Sequence, residues 1–372
     1  MSKVTIPVYQ PDLSGNEKRY VLECLDSTWI SSKGRFITEF EDQFAGFIGA
    51  KHAIGVCNGT VALHLALVTL GIGPGDEVIV PTLTYVAAVN AIAYTGATPV
   101  FVDSLPETWQ MDPADVRRKL TPRTKGILAV HLYGHPCDME ALSALAREQD
   151  LFLIEDCAEA FGARFRGRHV GTFGNIACFS FFGNKTITTG EGGMVATDDK
   201  TLFERARHFK GQGLAEHREY WHDVIGYNYR ITNICAAIGL AQLERAEEIL
   251  ARKRALAQAY REHLEGLPVQ MLGESGDVRS SFWMISILVP TAADREPLRQ
   301  HLAGQGIETR PLFYPVHTMP MYAARYQRHP VAENLAWRGI NLPSWPALSS
   351  AQVEQIAACV RDYFSKRPRC SD

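Results

Sequence analysis

Between residues 54 and 200, short apolar runs alternate with helical patterns, and this alternation constrains the fold more than any other feature. The runs Glu77–Val80, Thr98–Asp103, Gly126–Leu132, Leu151–Asp156, Ile176–Phe182 and Met194–Thr197 have strand length and are predominantly apolar. Segments 86–95, 113–120 and 138–149, which lie between them, carry helical spacing. Such repetition predicts a mostly parallel, doubly wound α/β sheet with its site at the C-terminal strand ends. Thr60, Tyr85, His131, Asp156, Ser180 and Lys185 all fall at or just beyond such ends.

The stretch Cys178–Met194, CFSFFGNKTITTGEGGM, holds a single lysine, Lys185. It stands between a strand-like run and a turn rich in glycine and threonine, a poor place for a solvated surface charge. A lysine amine that is deprotonated and aimed forms an imine with carbonyls, pyridoxal phosphate included. That cofactor works as an electron sink when a fixed carboxylate keeps its ring nitrogen protonated. Asp156 closes the run Leu151–Asp156 upstream of Lys185 and has the right chemistry. As an N-cap for the helix-like stretch Cys157–Ala160 it would serve a plainer purpose; with Lys185 following it, the cofactor reading is preferred. Asn58, Gly59 and Thr60 stand between a short strand and an Ala/Leu-rich helix. Free N–H groups, a hydroxyl and the helix dipole there suit an anion, although a plain N-cap explains the same residues. Tyr85 can stack on a flat ring. The glycines of Gly71–Gly75 follow a helix and precede a strand, the reverse of a dinucleotide fingerprint, which disfavours a nicotinamide oxidoreductase.

The 372 residues suffice for two domains. A formal net charge of −3 argues against a nucleic-acid binder. The N-terminus lacks a signal pattern, and no apolar stretch is long enough to span a membrane. Cys24, Cys57, Cys137, Cys157, Cys178, Cys235, Cys359 and Cys370 are scattered, which suggests reduced residues of a cytoplasmic protein and no metal site. A large domain is expected over 1–250, N-terminal segment included, and a smaller C-terminal α+β domain over 251–372. One long helix over about 235–264 is expected to link them, with a strand at 282–289 and helices at 295–306 and 351–365 beyond it. Trp29, among small polar residues, can floor a ligand site or anchor a loop.

The pieces PTLTY (81–85), EDCAEAFG (155–162), SFFGNKTITTGEGG (180–193), GYNYR (226–230) and FYPVH (313–317) complete a pattern. In this order and spacing the chain resembles the fold-type-I nucleotide-sugar aminotransferases, over about residues 5–365. The resemblance implies an aspartate-aminotransferase-like large domain and pyridoxal 5'-phosphate as cofactor, with pyridoxamine 5'-phosphate as intermediate. Lys185 matches the lysine that carries the cofactor, and Asp156 the partner of its ring nitrogen. Glu159 matches the residue near the ring hydroxyl, Tyr85 the stacking aromatic, and Gly59, Thr60 and Ser180 the phosphate cradle. Asn228 matches an asparagine reaching in from a neighbouring subunit, which implies a homodimer or higher homo-oligomer. Trp29, Ser31, Tyr314 and His317 fall in segments lining the sugar and nucleotide side. Related sugar dehydratases carry histidine in place of Lys185, so the lysine implies full transamination.

The segments LDSTWISSKG, HLYGHPCDME and ETRPLFYPVHTMPMY, with the run 209–244, bring the chain nearest to members acting on GDP-4-keto-6-deoxymannose for O-antigen. L-glutamate is then the expected donor and 2-oxoglutarate the co-product. A UDP- or dTDP-linked keto sugar is the alternative substrate, and a non-catalytic pyridoxal-phosphate regulator the alternative of another class.

Overall fold

The computed structural model describes residues 4–274, 276–323 and 327–366. Cys370 lies outside the described residues. Helices α1 (Glu17–Asp26) and α2 (Arg35–Ile48) precede β1 (His52–Val56). Next, α3 (Gly59–Thr69) leads to β2 (Glu77–Pro81), α4 (Val86–Tyr94) to β3 (Thr98–Val102), α5 (Pro113–Arg118) to β4 (Thr124–Val130) and α6 (Met139–Glu148) to β5 (Phe152–Asp156). The short strands β6 (Arg164–Phe165) and β7 (Arg168–His169) come before β8 (Ile176–Ser180) and β9 (Gly193–Thr197). Three helices follow, α7 (Lys200–Lys210), α8 (Asn233–Glu244) and α9 (Ala246–Leu264). The C-terminal part comprises β10 (Gln270–Met271), β11 (Val278–Arg279), β12 (Ile285–Leu288), α10 (Ala292–Gly304), β13 (Arg310–Pro311), α11 (Pro330–Arg338), β14 (Gly339–Leu342) and α12 (Ser350–Ser365).

The large sheet has seven strands in the order β1-β9-β8-β5-β4-β2-β3. Pairing is parallel from β8 through β3, and β9 runs antiparallel to both its neighbours. The expected mostly parallel α/β sheet is therefore present. It brings the C-terminal ends of β1, β2, β4, β5 and β8 to one edge. A four-stranded sheet, β10-β12-β14-β13, forms in the C-terminal part, and a small sheet joins β11 to β6 and β7.

The period of two along β8 decides what lies on each side of the sheet. Phe179 and Phe181 turn to one face and pack on Phe44 of α2, with ring centroids 4.9 and 5.5 Å away. Cys178 turns to the other, into the core built with α3. On α2, Phe36, Phe40, Phe44 and Ile48 recur at helical spacing and are all buried. Gly49, at φ 80°, ends that helix in the left-handed conformation that favours glycine.

The expected continuous helix over 235–264 is two helices, broken at Arg245 (φ −108°, ψ 11°). The Arg245 N–H bonds Gln242 O, three residues back, and its guanidinium is held by Asp12 and Glu248, each at 3.1 Å. Helix α9 serves two cores: Ile249 and Leu250 join the α2 side, and Leu256, Ala257 and Tyr260 join the C-terminal sheet. Ile6 pairs with Ile307 and is buried in that second core. The expected 282–289 strand is regular only over Ile285–Leu288. Before it, Ser280 and Ser281 tie the chain to the Gly134 carbonyl at 2.9 and 3.0 Å, and Phe282 takes φ +49°.

Phe44 is fully buried and touches four other phenylalanines. Phe44→Ala is expected to lower unfolding stability by about 3–5 kcal/mol in urea titration. A loss below about 1 kcal/mol would show that the cluster closes over the gap.

Candidate active site

The site forms where β5 and β8 end and α3 begins. Glu155 and Asp156 are neighbours on a strand, so their side chains leave on opposite faces. Glu155 serves the scaffold: its oxygens accept N–H groups from Gly171, Phe173 and Gly174, each at 2.7 Å, and meet His131 Nε2 at 3.1 Å. Asp156 faces the site. Its Oδ1 accepts the Ala158 N–H at 3.0 Å, and its other oxygen accepts no hydrogen bond among the described residues.

Lys185 lies in the turn after β8. Its N–H donates to Phe182 O at 2.9 Å, and its own carbonyl accepts Tyr9 Oη at 2.5 Å. The amine Nζ stands 3.9 Å from Glu159 Oε1 and 3.9 Å from the centre of the Trp283 ring. Glu159 Oε2 accepts the Tyr133 N–H at 2.8 Å. Asp156 and Glu159 are buried, and both attract Lys185 electrostatically.

Burial dominates the proton affinities. It raises Asp156 against the opposing effects of the Ala158 N–H and of Lys185. It pushes Glu159 up to about 7 despite Lys185 and the Tyr133 N–H. It lowers the Lys185 amine although Glu159 and Asp156 favour its charged form. The amine and its carboxylate partner are thereby brought toward each other in proton affinity, as a proton-transfer site needs.

The start of α3 leaves backbone N–H groups open to an anion. Asn58 caps the helix by accepting the Val61 N–H at 3.0 Å, which leaves the Gly59 and Thr60 N–H groups without an intrahelical acceptor. A Cβ on Gly59 would lie 2.6 Å from Ser180 Cβ, so only glycine lets the helix start come this close to the end of β8. Pyridoxal phosphate fits these residues: the open helix start can take the phosphate, and the free Asp156 oxygen can take a protonated ring nitrogen. Tyr85, just before α4, is 57% exposed and leans on Phe313 at 5.4 Å.

The structure thus brings together Lys185, Asp156 and Glu159, and sets Gly59 and Thr60 against Ser180. Among the described residues, no hydrogen bond, ion pair or ring contact links Trp29, Ser31, Asn228, Tyr314 or His317 to Lys185, Asp156 or Glu159. Trp29 and Ser31 are exposed, and their carbonyls are bonded by Asn233. Asn228 is exposed, its amide oxygen held by Arg230 at 3.1 Å. Tyr314 packs on Trp337 at 5.3 Å and meets Arg295. His317 is buried, with Nδ1 2.7 Å from Thr82 Oγ1 and Nε2 3.4 Å from Glu333.

His131, also at a strand end, is fully buried; its Nδ1 accepts the Cys137 N–H at 3.0 Å while Nε2 meets Glu155. With Glu155 and Cys157 it forms a group of metal-ligand type that the scattered sequence positions hid. The ring nitrogens of His131 are already engaged, and Glu155 already holds three backbone N–H groups. Trp283, Tyr133 and Tyr9 were also missed. Phe282 and Trp283 fall simply within the expected 282–289 strand, and no local pattern marks Tyr9.

Residues 11–361 match the DegT/DnrJ/EryC1/StrS aminotransferase family. The chain is 64% identical over 362 residues to GDP-perosamine synthase of Escherichia coli O157:H7, covering 97% of this chain and 99% of that protein. It is 50% identical to GDP-perosamine synthase of Vibrio cholerae, covering 97% and 99%. The solved structure of the aminotransferase TlmJ from Streptoalloteichus hindustanus superposes with a TM-score of 0.93 at 33% identity, covering 97% of this chain and 99% of that one.

Glu159 gives a pH test. A carboxyl raised from 4.5 to about 7 by folding lends stability that is complete below pH 4.5 and lost as pH rises through 7. Glu159→Gln stays neutral throughout. In the cofactor-free protein its stability is expected to gain on wild type between those values, by about 3 kcal/mol in urea titration. A pH-independent difference would mean that burial does not govern this carboxyl.

Proposed function

The chain belongs to the DegT/DnrJ/EryC1/StrS aminotransferase family, and on that premise we propose that it aminates C4 of GDP-4-keto-6-deoxy-D-mannose with L-glutamate as donor. It is a pyridoxal-phosphate-dependent sugar aminotransferase. The product would be GDP-perosamine, destined for O-antigen, and the co-product 2-oxoglutarate. The observation that supports this substrate is the 64% identity to the E. coli GDP-perosamine synthase over nearly the full length of both chains.

Gly59, Thr60 and Ser180 would hold the cofactor phosphate, Asp156 the ring nitrogen, Glu159 the ring hydroxyl and Tyr85 the ring face. When bound, pyridoxal phosphate supplies an electron sink for a carbanion formed beside it. The proton work falls to Lys185. In the first half-reaction its Nζ takes the proton from Cα of the glutamate donor; in the second it gives a proton to C4 of the sugar. Asp156 keeps the ring nitrogen cationic in both halves, which is electrostatic stabilisation by a fixed charge. Glu159 stays beside Nζ and compensates its charge whenever the amine is protonated. Burial keeps water from competing for that proton.

A second copy of the chain would complete the site, with Asn228 crossing to the neighbouring phosphate. Its exposure on the 211–230 loop supports this, as do the exposed Tyr220, Trp221 and Ile225 of the same loop. Trp29, Ser31, Tyr314 and His317 would face or support the nucleotide sugar. A cytoplasmic enzyme fits the seven free cysteines among the described residues. Also among the described residues, no helix is long and apolar enough to cross a membrane.

Absorbance spectra test the substrate. The yellow band of the loaded protein is expected to bleach with L-glutamate and return with GDP-4-keto-6-deoxymannose. Return only with a UDP- or dTDP-linked keto sugar would replace the substrate, and no bleaching would favour a non-catalytic binder. Lys185→Ala is expected to abolish turnover. If sites are shared, co-assembly of Lys185→Ala with Asn228→Ala restores activity that neither variant shows alone, because each hybrid dimer holds one intact site. No recovery in proven hybrids would place each site within one chain.

A further inference from the structure

Trp283 touches Lys185 in two ways. Its indole face lies under Nζ, 3.9 Å from the ring centre, and its Nε1–H donates to the carbonyl of Asn184 at 2.6 Å. The tryptophan is 4% exposed and firmly anchored. Its carbonyl accepts Lys253 Nζ at 3.0 Å and Ser344 Oγ at 3.2 Å, and its ring stacks on Tyr133 at 6.2 Å and 14°. Tyr133 in turn gives its N–H to Glu159 and accepts the Phe313 N–H at Oη, 2.8 Å away. One rigid aromatic wall therefore fixes both partners of the amine, the ring beneath it and the carboxylate beside it.

We propose that Trp283 is a positioning residue for Lys185: its indole face holds the freed ε-amine beside Glu159, and its N–H fixes the backbone from which the lysine extends. The proposal rests on Lys185 being the lysine that does the chemistry. An amine displaced from the cofactor must stay within reach and must give up its proton again. An aromatic face attracts an ammonium through its quadrupole without accepting the proton, which a carboxylate would do. The site therefore divides the task, with charge compensation from Glu159 and placement from Trp283.

The groups facing the amine from each neighbouring element are few. Glu159 stands 3.9 Å away, Asp156 adds attraction from β5, and Tyr9 binds the Lys185 carbonyl. Lys253 on α9 contacts the Trp283 carbonyl. Burial holds the amine below its ordinary proton affinity against both carboxylates. A ring face that favours the charged form opposes burial, so weakening the face is expected to lower the amine further.

The test uses the cofactor-free protein and needs no sugar, so its failure leaves the aminotransferase reading intact. Competitive labelling with acetic anhydride across pH, read by peptide mass spectrometry, gives the Lys185 titration midpoint. Trp283→Leu is expected to lower it by about one pH unit. Trp283→Phe keeps a ring face and is expected to hold the midpoint near wild type, while amide exchange over 183–187 quickens for want of the indole N–H. Uniform fluorotryptophan substitution withdraws electron density from the ring at nearly constant shape. It is expected to lower the midpoint in step with the number of fluorines, and it decides the matter if Trp283→Leu does not fold. A midpoint unmoved by fluorination, or by Trp283→Leu in folded protein, would reduce Trp283 to packing and overturn the proposal.

Discussion

Desolvation of three ionisable side chains in one site is the constraint on which the rest of the structure depends. In water a lysine and a glutamate differ by about six pH units in proton affinity and hold full opposite charges at pH 7. Here burial moves Glu159 up to about 7 and Lys185 down, so the proton affinities of the two neighbours approach each other. Such an arrangement opposes folding unless each group keeps a partner. Glu159 has the Tyr133 N–H, Asp156 the Ala158 N–H, and the Lys185 amine an aromatic face with two carboxylates nearby. The phenylalanine cluster beneath β8 supplies apolar burial that offsets part of that cost.

The strand period turns two adjacent acids into parts with separate tasks. Asp156 enters the site, whereas Glu155 gathers the backbone of 171–174 on the opposite face. That turn feeds β8, which ends at Ser180 and leads to Lys185. The acid given no part in the proposed chemistry therefore helps fix the position of the lysine proposed to carry it out. His131 belongs to the same arrangement, since it ties the end of β4 to Glu155 and to the Cys137 N–H.

What could be read in the sequence was what local periodicity determines. The Leu151–Asp156 and Ile176–Phe182 runs mark strands by composition, and Asn58–Thr60 marks a helix start by its capping chemistry. The lysine and aspartate could be found because each sits where such a pattern ends. The break at Arg245 could not, because both halves are sound helical sequence and Asp12, far away along the chain, holds the arginine at the junction. Trp283 and Tyr9 were hidden for the same reason. They reach the Lys185 turn from sequence separations of 99 and 176 residues, where no spacing rule applies. His317 came from the resemblance and from no local pattern, and the engagement of both its ring nitrogens by Thr82 and Glu333 is equally invisible in the sequence.

The distribution of exposure separates the two tasks of the proposed reaction. The groups proposed to handle the proton are buried, and both carboxylates are held by backbone hydrogen bonds, so that geometry is fixed before any ligand arrives. The residues expected on the substrate side are mostly open in a single chain: Trp29 is 56% exposed and Tyr314 39%. A two-substrate reaction on one lysine has this requirement. Glutamate and a nucleotide sugar differ in size and charge, so a wall shaped tightly to one would exclude the other, whereas the proton-transfer geometry is common to both. Rigidity therefore belongs at Lys185, and adaptable surface belongs above it. The second copy proposed to close that surface would add selectivity without disturbing the buried amine.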